Sequence, residues 1–292
     1  MTTTDWHITG DLTQFLTRAG EFLRSRPALH TIHLTVTEAL RSRGLRVYGE
    51  GDPVFGTLER DGEVRGAFFR TPPGRLMLTP LTAEEANELA SQLAKRDEEL
   101  PGVMGERDTA SAFAEAWMRL TGSVPEIHAR QRLYRLGELT PPHPLPPGRP
   151  RIATANDRGQ LTRWYVEFTE AIGESGTSQD PGEWADARIA YGGITLWETP
   201  DGTPVSMAGL TPKVAGQIRV APVYTPADLR GRGYAGAATA EVSRMARAAG
   251  ADEVLLFTDL ANPTSNALYQ RLGYRPVEDF AGYDFHPAPA PR

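Results

Sequence analysis

A loop rich in arginine and glycine lies in the second half of the chain. It reads Arg230–Ala235 and joins an apolar segment ending at Val223–Thr225 to an alanine-rich segment. The first turn of a helix carries unpaired N–H groups and a partial positive charge, so a loop of this kind can hold a phosphate. Gly231 and Gly233 would let a ligand approach the backbone closely. The other interpretation is a glycine-rich turn with solvated arginines. The Gly-Lys-Ser/Thr of a Walker loop and the Gly-x-Gly-x-x-Gly of a dinucleotide fold are both absent from it.

A second polar segment follows the next apolar strand. Asn262-Pro263 is typical of an N-cap followed by proline in the first helical turn. Asn266 and Tyr269 are three residues apart and share a helical face. The amide of Asn266 can donate to and accept from another amide, and the phenol of Tyr269 suits protonation of a leaving thiolate. Alternatively, Asn266 supports the start of the helix and Tyr269 packs in the core.

Together the two segments resemble the GNAT superfamily of N-acetyltransferases. The loop matches the Gln/Arg-x-x-Gly-x-Gly/Ala signature of that family, and the resemblance covers residues 151–285, most strongly 220–274. It implies that loop amides hold the pyrophosphate of acetyl-CoA, that a splayed strand pairs with the pantetheine arm, and that Tyr269 is the general acid. The resemblance places these residues at the cofactor: Val223, Tyr224, Thr225, Arg230, Gly231, Arg232, Gly233, Tyr234, Ala235, Asn262, Asn266 and Tyr269.

The spacing of apolar residues and turn residues predicts an α/β fold of mixed type. Both halves alternate helices and strands in a similar order, which indicates two tandem GNAT-like domains, each a central mixed twisted sheet flanked by helices. Six prolines crowd residues 140–150 and predict an extended linker. The predicted division is 1–139, a linker at 140–150, and an acetyltransferase domain at 151–292.

Within the first half, no counterpart of the arginine–glycine loop is found. Glu106 and Asp108 stand near the corresponding place and would repel a pyrophosphate. We therefore expect a degenerate domain that does not bind coenzyme A and instead completes the acceptor pocket or rigidifies the chain. Two local predictions can be checked directly: Ile32, Leu34 and Val36 alternate as in a half-buried strand, and residues 275–285 predict a closing hairpin.

No residue is assigned as the general base. A carboxylate usually accepts the proton of the attacking amine, but Gln217–Tyr224 contains no acid. Glu198, Glu174 and Asp259 are possible bases, although each fits a surface or capping role better. Glu170 and Glu174 share a helical face, which indicates a cationic substrate.

Composition excludes several classes of protein. The chain has no cysteine, which rules out disulfides, cysteine-ligated metals and a cysteine nucleophile. Lys and Arg total 31 against 37 Asp and Glu, a net charge of −6, and this disfavours nucleic acid as a partner. No apolar run reaches the length of a membrane span and no secretory signal is visible, so we expect a cytoplasmic protein without a membrane partner. His30 and His33 lack a third ligand, so no metal is expected.

These observations predict an acyltransferase that moves an acetyl group from acetyl-CoA directly to a primary amine of a small molecule or peptide. Two alternatives stay open: a non-catalytic sensor of acyl-CoA, and an enzyme similar to mycothiol synthase that acts on an amino-sugar conjugate. The sequence leaves the acceptor, the acyl length, any ligand of the first domain and the oligomeric state undetermined.

Overall fold

The computed structural model describes residues 5–96, 99–173 and 179–288. Helices and strands follow one another in two rounds. The first round is β1 (Asp5–Thr9), α1 (Leu12–Ser25), α2 (Thr31–Arg43), β2 (Val54–Arg60), β3 (Glu63–Arg70), β4 (Leu76–Leu78), α3 (Ala83–Ala94), β5 (Gly102–Glu106), α4 (Arg107–Thr121) and β6 (Val124–Leu136). The second round is β7 (Arg149–Ile152), α5 (Arg158–Ala171), α6 (Pro181–Ala190), β8 (Ile194–Glu198), β9 (Pro204–Leu210), β10 (Gln217–Tyr224), α7 (Tyr234–Ala248), β11 (Glu253–Asp259), α8 (Pro263–Arg271) and β12 (Tyr274–His286). Both rounds have the same order of strands and helices, which confirms the predicted duplication of one mixed α/β fold.

The chain divides into two compact units. The first contains the described residues up to Leu133, together with Asp259–Ala261 and those from Glu278 onward. The second contains Tyr134–Thr258 and Asn262–Val277. Strands β6 and β12 therefore each contribute residues to both units. The division of the chain at 140–150 stays a prediction.

Each unit has a mixed sheet built in the same way. In the first unit β1 to β4 are antiparallel neighbours, and β4 then pairs in parallel with β5. In the second unit β7 to β10 are antiparallel neighbours, and β10 pairs in parallel with β11. The parallel pair forms across a helix in both units, α3 in the first and α7 in the second, as a crossover connection requires. Each sheet packs against helices over its own core.

Local sequence signals determine several ends of elements. The Thr82 hydroxyl accepts from Glu85 N–H while the Glu85 carboxylate accepts from Thr82 N–H, a capping box that begins α3. Asp180 caps α6 by accepting from Glu183 N–H, 2.8 Å away. Such caps are local, because the capping residue and the amide that it accepts from lie within four residues of each other.

Two local predictions are wrong. Ile32, Leu34 and Val36 lie in helix α2, whose buried residues include His33, Leu34, Thr37 and Leu40. These buried residues are spaced three and four apart because one face of the helix packs inward. Residues 275–285 form no hairpin.

Those residues belong to the single strand β12. It runs through Gly282 without a turn, because Phe280 to Asp284 pair continuously with Glu106 to Gly102 of β5. Ladder hydrogen bonds along a neighbouring strand outweigh the turn preference of one glycine.

The proline-rich segment packs against other residues of the second unit, to which it belongs. Thr140 N–H donates to the Leu272 carbonyl at 3.0 Å, and Trp197 Nε1 donates to the Pro147 carbonyl at 3.2 Å. Pro146 lies beside Gly233, 3.8 Å from where a Cβ on that glycine would stand. The segment thus runs along the unit that carries the arginine–glycine loop. Within the described residues, no helix is long and apolar enough to cross a membrane.

Candidate functional site

Strands β10 and β11 separate at their carboxyl ends. Their parallel register covers Gln217, Ile218 and Arg219, opposite Glu253, Val254 and Leu255. Strand β10 nevertheless continues to Tyr224, and β11 continues beyond Leu255. A wedge therefore opens between two parallel strands, on the side where α/β folds hold their ligands. The edge of β10 at the wedge offers backbone groups with which an extended amide could pair.

The arginine–glycine loop leads from β10 to α7 by way of a short 3₁₀ turn at Ala227–Leu229. Gly231 has φ +75° and Gly233, the N-cap of α7, has φ +85°. Residues with a side chain rarely adopt this left-handed conformation, which explains the two glycines. A Cβ at Gly231 would meet nothing within 4 Å, and the loop is exposed from Gly231 to Gly233.

Helix α7 begins without a side-chain cap, because its N-cap is a glycine. The first helical bond is donated by Ala237 N–H to the Gly233 carbonyl at 3.0 Å. In the described part of the chain, no protein group accepts from the N–H groups of Tyr234, Ala235 or Gly236. Three aligned donors and the positive end of the helix dipole therefore face the loop, an arrangement that suits an anion.

The helix of the first unit that is equivalent to α7 is α3, so Glu106 and Asp108, which lie at the end of β5 and in α4, do not stand at the corresponding place as predicted. The start of α3 also differs from that of α7. The hydroxyl and carboxylate of the capping box serve the amino-terminal amides of α3, and Glu84 adds a negative charge to the first turn. An anion there would compete with the protein's own oxygen atoms and meet charge repulsion.

Both arginines of the loop bond to its own backbone. Arg230 Nε donates to the Thr225 carbonyl at 3.0 Å, and one terminal nitrogen of Arg232 donates to the Asp228 carbonyl at 3.0 Å. A guanidinium has five N–H donors, so each arginine keeps donors for a ligand while its position is restrained. The two positive charges are thus held beside the uncapped helix.

Alternation along β10 sends its last residues to opposite faces. Val223 packs against the cluster that contains Tyr234 and Tyr269. Tyr224 lies in the other cluster, tilted against Trp164 at a centroid distance of 6.1 Å. The structure therefore brings Val223, Tyr234 and Tyr269 together, whereas the ring of Tyr224 lies across the sheet from them.

The carbonyl of Tyr224 accepts a hydrogen bond from the Ser206 hydroxyl at 3.0 Å. The Ser206 and Thr225 hydroxyls are 2.8 Å apart. Tyr224 in turn donates its phenol hydroxyl to Glu167 on α5 at 2.7 Å. Burial, and then the hydrogen bond with Glu167, raises the pKa of Tyr224 to about 12.

Helix α8 places its two asparagines in the support of its own first turn. Asn262 caps the helix by accepting from Ser265 N–H at 3.0 Å. The Asn266 amide donates to the Asn262 carbonyl at 2.8 Å, and its oxygen accepts from the buried Tyr134 hydroxyl at 2.9 Å. Both ends of the Asn266 carboxamide are therefore engaged by the protein. A role of these asparagines in cofactor binding stays a prediction.

Tyr269 is buried on the same helix. Only 7% of the residue is exposed, and its ring meets Tyr274 edge to face at 6.1 Å. Among the described residues its hydroxyl has no hydrogen-bond partner. Burial raises the pKa of Tyr269 to about 12. The phenol consequently stays protonated at neutral pH and can act as a proton donor.

The acids considered from the sequence lie in different settings. Glu198 is buried and bonded to Arg151 at 2.6 Å, so its charge is already matched. Asp259 accepts from Ala261 N–H in a local turn. Glu170 is exposed on α5, and Glu174 lies outside the described residues.

Glu167 is the acid that sequence reasoning missed. It follows the buried Trp164 by three residues, and Trp164 and Tyr224 share one core cluster. That spacing is the signal that could have indicated it, because residues three apart share a helical face. Only the folded structure shows that Tyr224 is the hydrogen-bond partner of Glu167.

His30 and His33 have structural contacts. Nδ1 of His30 is 3.0 Å from the Leu23 carbonyl, and Nε2 of His33 is 3.2 Å from the Met77 carbonyl. Burial lowers the pKa of His30 to about 4 and that of His33 to about 3. Within residues 5–96, 99–173 and 179–288, no group of three histidine or acidic side chains is arranged to hold a metal.

Comparison with known proteins identifies the family of this segment. The model of the acetyltransferase (GNAT) family matches residues 159–274. These residues form a GNAT-family acetyltransferase domain. The match spans the strand wedge, the arginine–glycine loop and helix α8, so the geometry of this GNAT domain and the family match concern the same segment. No curated protein matches the sequence.

Solved structures share the fold across both units. A GCN5-related N-acetyltransferase from Sphaerobacter thermophilus is 18% identical, with 95% of this chain and 94% of that one covered and a TM-score of 0.58. One from Kribbella flavida is 21% identical, with 89% and 95% covered and a TM-score of 0.56. A tandem GNAT protein from the clavulanic acid biosynthesis pathway is 11% identical, with 99% and 100% covered and a TM-score of 0.56. The predicted tandem GNAT-like fold is confirmed.

The GNAT family generally uses acetyl-CoA, and the GNAT domain here fits that molecule. The uncapped amides of Tyr234, Ala235 and Gly236 suit a diphosphate. The free edge of β10 suits the amides of a pantetheine arm. The contacts of the individual predicted residues with acetyl-CoA stay predictions.

Proposed function

We propose that the protein transfers an acetyl group from acetyl-CoA directly to a primary amine carried by a small molecule or peptide. One observation carries this proposal: an uncapped helix follows a strand that has left its parallel partner, and three N–H groups of its first turn have no acceptor among the described residues. Anion binding and strand-like pairing are thus available side by side in one GNAT domain. Metabolite sensing without catalysis would use the same features but needs no proton donor.

Acetyl-CoA supplies the acetyl group as an activated thioester, so the protein mainly positions and polarises. The amides of α7 and the donors of Arg230 and Arg232 hold the diphosphate in this mechanism. The edge of β10 aligns the extended part of the molecule. The helix dipole contributes only about 0.3–1 kcal/mol at an exposed position. Binding of the diphosphate therefore depends on several N–H donors acting together.

Tyr269 is the proton donor of the proposed reaction. Its hydroxyl has no partner among the described residues, and its pKa of about 12 keeps it protonated. Loss of the amine proton requires a second group. We assign that role to Glu167, whose carboxylate already holds the Tyr224 hydroxyl at the end of β10. Two ionisable groups on different elements thus divide the two proton transfers.

A pair of substitutions at Gly231 tests cofactor binding. Asp and Asn are the non-glycine residues that best tolerate the left-handed conformation, and a side chain there has open space. Gly231→Asp and Gly231→Asn therefore carry similar strain and differ in one negative charge. We expect calorimetry to show that the Asp variant binds coenzyme A at least about tenfold more weakly than the Asn variant. A repulsion of about 1.4 kcal/mol between the Asp carboxylate and the diphosphate is enough for a tenfold change in Kd.

Equal affinities of the two Gly231 variants for coenzyme A would show that the diphosphate does not bind at this loop. Catalysis is tested separately by release of free thiol from acetyl-CoA with a panel of primary amines, with the products identified by mass. Tight binding of coenzyme A with no acetylated amine and no thiol release would favour the non-catalytic sensor.

A further inference from the structure

A cavity lies in the first unit. Its volume is about 390 Å³, within the range of small-ligand pockets. Leu260, Phe280 and Ala281 supply an apolar surface. Two arginines and two hydroxyl groups supply the polar surface. The acetyl-transfer mechanism uses none of these residues.

Arg130 is the central polar residue of this cavity. It lies on β6 between His128 and Arg132, and residues two apart on a strand share a face. His128 pairs with Asp284 at 3.2 Å, and Arg132 pairs with Asp279 at 2.6 Å. Among the described residues, the Arg130 guanidinium has no hydrogen-bond or ion-pair partner. The exposed Arg130 guanidinium therefore lines the cavity between two residues that each contact an aspartate.

A hydroxyl pair adds a further donor. The Ser111 and Tyr283 hydroxyls are 2.8 Å apart, and both side chains line the cavity. Two hydroxyl groups that share one hydrogen bond use only one of their two hydrogens. Since no other acceptor contacts them among the described residues, one O–H stays available to a ligand.

Arg107 limits the charge that the cavity can accept. It already lies 3.2 Å from Asp108 and 3.7 Å from Asp279. Asp279 also pairs with Arg132, so two arginines share this carboxylate. A ligand with one negative charge meets less repulsion from these carboxylates than a diphosphate would.

We propose that the cavity binds a small organic carboxylate with an apolar body. The guanidinium of Arg130 pairs with the carboxylate, the free hydroxyl donates to it, and the apolar side chains cover the rest of the ligand. Guanidinium groups match carboxylates in shape as well as in charge. This inference does not depend on acetyl transfer.

The test uses the full chain and benzoate as the probe, with benzamide as its neutral counterpart. Calorimetry or ligand-observed NMR should give a Kd on the order of 1 mM for benzoate, as suits a ligand of this size. Benzamide should bind at least about tenfold more weakly, because it lacks the charge-assisted hydrogen bond. Arg130→Gln should weaken benzoate to the level of benzamide, and Arg43→Gln, an exposed arginine on α2, should leave the Kd unchanged.

Ser111→Phe fills the cavity and should abolish binding of benzoate, whereas Ser111→Ala should weaken it by less. Equal binding of benzoate and benzamide, unchanged binding in Arg130→Gln, or the lack of any saturable binding of benzoate would overturn the proposal. Inorganic phosphate that binds more tightly than benzoate would overturn the ligand class. Affinity for coenzyme A, measured in Arg130→Gln, should equal that of the original protein, so a failure here is distinguishable from a failure of the proposed acetyl transfer.

Discussion

Replacement of Tyr269 by phenylalanine separates catalysis from stability in this protein. The hydroxyl is buried and has no partner in the described structure, so its removal leaves no donor or acceptor unpaired. The ring keeps its edge-to-face contact with Tyr274. We therefore expect the free energy of unfolding to change by less than about 0.5 kcal/mol.

Turnover should respond very differently. A positioned general acid contributes about 10²- to 10⁴-fold to a rate, so Tyr269→Phe should lower kcat by about that factor with a reactive amine. The Kd of coenzyme A should change little, because the contacts proposed for the diphosphate are with backbone amides and arginines elsewhere. Thiol release under saturating acetyl-CoA measures kcat, and calorimetry measures the Kd.

Tyr274→Phe is the matched control, and it should show the opposite pattern. The Tyr274 hydroxyl is 2.7 Å from the Ser243 hydroxyl in the core. Its loss should cost about 1 kcal/mol of unfolding free energy while kcat stays unchanged. If Tyr269→Phe keeps full kcat, or loses as much stability as Tyr274→Phe, then Tyr269 is a core residue and not the acid.

Two further predictions concern a carboxylate and a pair of histidines. Glu167→Gln should lower kcat by about 10²-fold or more, whereas Glu170→Gln on the same helix should leave kcat unchanged. Equal kcat values for the two variants would exclude Glu167 as the base. Burial lowers the pKa of His30 to about 4 and of His33 to about 3, so between pH 6.5 and about 4 the unfolded chain binds more protons than the folded one, and stability falls as the pH falls. At pH 5 the free energy of unfolding should be lower than at pH 7 by about 2 kcal/mol for each histidine, since each pH unit below 6.5 costs about 1.4 kcal/mol. Urea unfolding at the two pH values measures this difference. An unchanged urea midpoint would show that these histidines are charged in the folded protein at pH 5.

Predictions from sequence succeeded where the controlling residues are close together along the chain. The cap at Asn262 and the position of the arginine–glycine loop before α7 are of this kind. The prediction failed at Ile32 to Val36, because three apolar residues spaced two apart are compatible with a strand until the packing of a whole helix is known.

The roles of individual side chains needed the tertiary structure. Glu167 meets Tyr224 across 57 residues of sequence, and Asn266 turned out to be held by Tyr134, 132 residues away. Nothing in the local pattern of either segment encodes such partners, because they depend on which strands and helices become neighbours.

The sequence by itself determined the repeated order of elements, the glycines that the loop conformation requires and the acetyltransferase family of the second half. Only the tertiary structure decided that β10 and β11 part after Arg219 and that the amides of α7 are uncapped while those of α3 are capped. It also decided that Arg130 has no acidic partner among the described residues. The physical reason is the range of the interactions. Turns and caps are governed by residues within one helical turn, whereas wedges, cavities and unmatched charges arise from elements that meet only when the chain is folded.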